Sequence, residues 1–107
     1  MIWSVEYTDR ASRDLDGIFA YICNHLQEPQ IAKRQFKRIT DAVNSLAFMP
    51  FRYRLYEKEP WHTLGFRVLP VNNYLILYLP DESNAVVFIH HIIYGGRDIE
   101  AQLKQSK

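Results

Sequence analysis

The chain contains a single cysteine, Cys23. One thiol excludes an internal disulfide and any multi-cysteine zinc site, and it suits a reduced, cytoplasmic setting. The opening MIWSVEYTDR lacks the basic-then-apolar layout of an export signal. No apolar run approaches the roughly 18 residues of a membrane span. Neither export nor a membrane partner is expected. Internal repeats and low-complexity tracts are also missing. So are a glycine-rich phosphate loop, a nucleophile–histidine–acid set and paired carboxylates at catalytic spacing. The best-marked enzyme classes are thereby removed.

What is present suffices for one domain over residues 1–107. The 107 residues are 48% hydrophobic and 14% aromatic, enough for a packed core without a cofactor or disulfide. Net charge is only +1, yet nine of the thirteen Lys and Arg lie between Arg10 and Lys58. They are Arg10, Arg13, Lys33, Arg34, Lys37, Arg38, Arg52, Arg54 and Lys58. Such clustering attracts polyanions, or else forms an ordinary solvated helix face. Lys33, Arg34, Lys37, Arg38, Arg52, Arg54 and Lys58 are the candidates for nucleic-acid contact.

Periodicity orders the elements. IWSVEY alternates and reads as a first strand. Ala11, Leu15, Ile18, Ile22 and Leu26 step by four and three, which predicts a helix opened by Thr8 or Asp9. Gly17 weakens it by about 1 kcal/mol relative to Ala. After QEPQ, a second helix begins near Pro29 and carries the stripe Ala32, Phe36, Ile39, Val43 and Leu46. MPFRYRLYEKEPW then reads as a mobile connector. Three strands follow in LGFRVLPV, YLILYLP and AVVFIHHIIY, separated by turn-forming NN and PDESN. The middle one is apolar on both faces, so it belongs in the centre. Arg97–Leu103 reads as a closing helical turn before a frayed KQSK tail. The fold class is α+β in the order βααβββ: a small antiparallel sheet with an N-terminal helical hairpin packed on one face.

Four residues are candidates for chemistry. Arg67 sits between Phe66 and Val68, where an unpaired guanidinium is costly, so it requires solvent, an acidic partner such as Asp98 or Glu100, or an anionic guest. His90 and His91 are adjacent in a strand and point to opposite faces, so they do not chelate one ion; no metal is expected. Each reads either as a hydrogen-bonded core residue facing the helices or, for His91 or His90, as a cleft residue able to act as general acid or base. Tyr94 offers a ring for stacking or a hydroxyl, and the glycines after it aim Arg97.

Four stretches together carry a resemblance: VEYTDRASRDLDGIFAYI, NSLAFMPFR, FRVLPVNNYLILYLPD and VVFIHHIIYGGRDIEAQL. Nearly the whole chain resembles the RelE/ParE superfamily of bacterial toxins from type II toxin–antitoxin modules, in its ParE-like pattern. The resemblance implies the same βααβββ fold and a toxin neutralised by a cognate antitoxin. Operator DNA would then be reached only through that antitoxin. It implies one of two targets: DNA gyrase for ParE-like members, or ribosome-bound mRNA for RelE-like ones, which are metal-independent endoribonucleases. A catalytically inert antitoxin-binding relative is a third reading. The RelE-type arginine after the middle-strand tyrosine falls on Leu75, and the tyrosine beyond the last strand falls near Leu103. Their lysines find only Lys58. Arg97 matches the arginine at the strand exit, while Arg67, Tyr78 and Arg97 follow the ParE-like pattern. As a nuclease, Arg67 and Arg97 would steady phosphate while His91 or Tyr94 moved protons.

Overall fold

A computed structural model describes residues 2–95. Four strands form one sheet in the order β1-β4-β3-β2: β1 Ser4–Tyr7, β2 Arg67–Val71, β3 Tyr74–Asp81 and β4 Val86–Tyr94. The three C-terminal strands are antiparallel, as expected. β1 instead joins β4 in parallel, with Ser4 opposite Val86 and Tyr7 opposite Ile89, so the sheet is mixed rather than wholly antiparallel. The helical hairpin between β1 and the rest returns the chain to the opposite edge, a crossover that a hairpin turn cannot make. Arg97, and the helical turn expected from it, lie outside the described residues.

The hairpin consists of α1, Asp9–Ala20, and α2, Pro29–Ser45. Thr8 caps α1 by accepting the Ala11 amide on its side-chain oxygen at 3.1 Å. Expected as one helix to Leu26, the first arm changes after Ala20 into a π-helical turn, Tyr21–His25. That wider turn rotates the apolar stripe, so Ile22 stays buried while Leu26 is exposed. On α2, Ala32, Ile39, Val43 and the following Leu46 are buried, while Phe36 is exposed and meets Phe19 edge-on.

Two apolar layers result. The main core joins Ala11 and Leu15 of α1 and Ile39 and Val43 of α2 to Leu69, Ile76, Tyr78, Val87, Ile89 and Ile92 of the sheet. The opposite face of the sheet is also covered. Phe66, Val68, Leu77 and Ile93 pack there with Tyr56 and Trp61 of the connector. The central strand is apolar on both faces because both faces have cover.

The connector, expected to be mobile, is folded. It contains a 3-10 turn, Pro50–Arg52, and a short helix α3, Trp61–Leu64. Tyr56 donates its amide to the Phe66 carbonyl at 2.8 Å, and Val68 donates to the Arg54 carbonyl at 3.1 Å. These bonds occupy part of the free edge of β2, and Pro70 removes one donor further along it.

Candidate functional site

Between the π-helical turn and the end of β4 lies an open cleft of about 820 Å³. Arg10, Arg13, Asp14 and Gly17 line it from α1; Tyr74, Ile92 and Tyr94 line it from the sheet. The exposed apolar side chains Tyr21, Leu26, Ile31 and Tyr94 edge it. Tyr94 meets Tyr74 edge-on, ring centroids 5.6 Å apart. Asn72 donates to the Gln35 side chain at 3.1 Å and so ties the β2–β3 turn to α2 beside the cleft.

Asp14 organises the cleft floor. Its Oδ1 accepts Arg10 Nε at 2.9 Å and its Oδ2 accepts the Ile92 amide at 3.1 Å. His91 Nδ1 stands 4.0 Å from the same Oδ2. Burial drives the His91 pKa down to about 4; Asp14 opposes that shift, while Arg10 and His90 add to it. Burial also lowers His90, whose ring meets Phe66 edge-on at 4.8 Å. Both histidines are therefore neutral near pH 7. An imidazole with so low a pKa is a poor proton donor there.

The histidines did not follow simple alternation. Leu77 of β3 pairs with His91, but Tyr78 pairs with Ile89, which leaves His90 as the extra residue of a β-bulge. Val87 and Ile89 belong to the main core, and after the bulge Ile92 continues that row while Ile93 joins the opposite cluster. The face assignment expected from an unbroken strand shifts by one residue at this point.

Arg67 is placed elsewhere. Its Nη1 donates to the carbonyls of Phe51 at 3.1 Å and Tyr53 at 2.6 Å, and the guanidinium lies over the Phe51 ring, 5.1 Å from its centroid. It shares its sheet face with Leu69 and the main core rather than with a polar face. Arg67 pairs with Tyr78, whereas Val71 pairs with Tyr74 and Tyr74 with Tyr94. Four strand steps, roughly 13 Å, separate Arg67 from the row that holds Tyr94. Of the expected chemical residues, only Tyr94 lines the cleft, with His91 behind Asp14. Arg97 falls outside the described residues.

The basic residues do not form one compact patch. Lys33, Arg34, Lys37 and Arg38 are exposed along α2, where Lys37 pairs with Asp41 at 3.0 Å. Arg52 closes the far end of that helix by donating to the carbonyls of Phe48 and Ser45. From Lys33 to Ser45 the helix rises roughly 18 Å. Arg54 and Lys58 are exposed on the connector. Sequence reasoning did not single out Arg10, Arg13, Tyr21 or Tyr74 as site residues. The signal for the arginines was their i, i+3 spacing, off the stripe of Ala11, Leu15 and Ile18. Among the described residues, no three His, Cys, Asp or Glu side chains gather as a metal site, and no helix is long and apolar enough to cross a membrane.

A sequence model of the ParE toxin of the type II toxin–antitoxin system, parDE, matches residues 5–99. The chain belongs to the ParE toxin family. It is thus a toxin of a type II toxin–antitoxin system. The fold agrees with solved structures at low identity. A chain of the chromosomal ParDE system from P. aeruginosa superposes with a TM-score of 0.71 at 21% identity, over 87% of this chain and 96% of that one. The RelBE2 toxin–antitoxin complex from Mycobacterium tuberculosis gives 0.61 at 21% identity, over 88% and 99%. The archaeal RelE–RelB complex from Pyrococcus horikoshii gives 0.62 at 13%, over 92% and 100%. No curated protein matches the sequence.

Proposed function

We propose that this ParE-family toxin arrests growth in the cytoplasm by binding DNA gyrase as a protein ligand, without cutting RNA. The observation that supports this reading is the dispersal, among the described residues, of the groups a metal-free ribonuclease would use. Arg67 is engaged by two connector carbonyls, roughly 13 Å along the sheet from the Tyr94 row. His91 is buried, with a pKa of about 4. Leu75 occupies the position where RelE-like enzymes are expected to carry an arginine. Metal-free cleavage needs a proton donor and cationic stabilisation within hydrogen-bond reach of one phosphate. A protein ligand needs neither.

In this reading a cognate antitoxin keeps the toxin inactive; the similar RelBE2 is a toxin–antitoxin complex and the similar ParDE a toxin–antitoxin system. The 820 Å³ cleft suits an amphipathic antitoxin segment. Tyr21, Leu26, Ile31 and Tyr94 offer apolar contact, and Arg13 offers charge to an acidic residue on it.

Purified toxin should inhibit supercoiling by gyrase and leave mRNA intact in a translation extract. Ribosome-dependent cuts in the message, with supercoiling unaffected, would overturn the gyrase reading. The ribonuclease alternative draws on one observation, the exposed Tyr94 against Tyr74 in a cleft that also holds Arg10 and Arg13. A tyrosine pair beside cations is able to stack on unpaired bases.

A further inference from the structure

A second apolar surface lies at the far end of β2 from the cleft. Phe48, Met49 and Phe51 are 56%, 73% and 44% exposed, on the loop that leaves α2. Trp3 joins them: its ring meets Phe51 edge-on at 5.5 Å, and its amide donates to the Ala47 carbonyl at 2.8 Å. Aromatic side chains and Met, with Arg beside them, are the composition enriched where proteins bind one another.

The loop is built to hold these side chains outward. Its carbonyls are taken from three directions: Arg52 on Phe48 and Ser45, Tyr78 on Pro50 at 2.7 Å, and Arg67 on Phe51 and Tyr53. Met49 adopts φ 52°, a left-handed conformation that strains a residue with a β-carbon. Yet its side chain contributes nothing to the core. A strained backbone, pinned on both sides to expose methionine and phenylalanine, is a surface prepared before binding.

Charge selects the kind of partner. From Ala42 to Tyr56 the sequence has no Asp or Glu, while Arg52 and Arg54 flank the apolar loop. Arg52 and Arg67 bond to carbonyls and hydroxyls, which leave their positive charge in place. A second copy across a two-fold axis would set these arginines against their equivalents, so self-association is disfavoured. We infer that the Phe48–Phe51 loop is the surface by which the toxin engages its target, and that the target presents an apolar pocket rimmed by carboxylates. This rests on the reading that the toxin acts by binding a protein, and it assigns that contact to the end of the molecule away from the antitoxin cleft.

Two variants test it, Met49→Asn and Arg54→Glu, with growth arrest on induction as the readout in cells lacking the antitoxin. Asparagine tolerates the left-handed conformation better than methionine, so Met49→Asn should raise or preserve the thermal midpoint. It should still weaken arrest by roughly ten-fold or more in effective dose, the scale of losing an interface anchor. Arg54→Glu should weaken arrest similarly, and both variants should co-purify with antitoxin as the wild type does. If both arrest growth at the wild-type dose, the inference is overturned, whatever the target. If the wild type arrests growth but leaves gyrase untouched, the gyrase reading fails, and the comparison of variants still decides the role of the loop.

Discussion

Asp14 and Ile92, 78 positions apart in sequence, are joined by a 3.1 Å hydrogen bond from the Ile92 amide to the Asp14 carboxylate. β1 pairs with β4 only as far as Ile89, so beyond that point the edge of β4 has no strand beside it. A helix side chain takes over the work of a strand carbonyl there. Asp14→Ala should cost about 1–3 kcal/mol, because the part-buried Ile92 amide loses its acceptor and the Arg10–Asp14 ion pair is removed. Asp14→Asn, which retains one acceptor oxygen, should lose less. Urea denaturation midpoints measure the difference; equal midpoints for Asp14→Ala and wild type would refute the role.

Tyr78 ties the sheet to the loop after α2, donating from its hydroxyl to the buried Pro50 carbonyl at 2.7 Å. Tyr78→Phe should destabilise the fold by about 1–2 kcal/mol through the carbonyl left without its donor. Burial, the largest cause, raises the phenol pKa to about 12, against a partial opposing effect of Arg67. The folded state thus resists deprotonation that the unfolded chain undergoes near 10. Stability from this group is complete below pH 10 and declines as pH rises toward 12. Base-induced unfolding of Tyr78→Phe should lack that component.

His91 supplies the opposite pH dependence. Its folded pKa, about 4, lies below the ordinary value of 6.5, so the unfolded chain takes up a proton first as pH falls. The contribution of neutral His91 is complete above pH 6.5 and is lost progressively down to pH 4, up to about 3 kcal/mol over the window. His90, lowered by burial, acts in the same direction. His91→Gln should flatten the fall of thermal midpoint between pH 7 and pH 5 without abolishing it. An unchanged slope would contradict the assignment.

Gly17 offers a stabilising change. A β-carbon built there meets nothing within 4 Å. Gly17→Ala should therefore raise stability by about 1 kcal/mol through helix propensity and a less flexible unfolded chain. Calorimetric midpoints of the two proteins test this directly; a lower midpoint for the alanine form would show that α1 needs the glycine.

The fold was legible where one interaction range dominates. Ala11, Leu15 and Ile18 on α1, and Ile39 and Val43 on α2, announced helices because the core rewards one face of a 3.6-residue period. The doubly apolar β3 announced a central strand because both of its faces are covered. The site was far less legible. Alternation divides His90 and His91 between the two faces, but a bulge changes the phase between them, and a bulge depends on pairing that β4 makes with other strands. Arg67 read as a cation awaiting a guest because its acceptors, the Phe51 and Tyr53 carbonyls, carry no side-chain signature. Backbone groups satisfy buried charge without leaving a mark in the sequence.

By itself, the order of residues determined the four strands, the two long helices and the family motif, since these depend on neighbours a few positions away. Only the tertiary structure decided that β1 runs parallel beside β4, that Arg67 serves a loop, and that the cleft opens between Tyr21 and Tyr94. Each joins segments tens of residues apart, where packing and unpaired polar groups, rather than local propensity, select the partner.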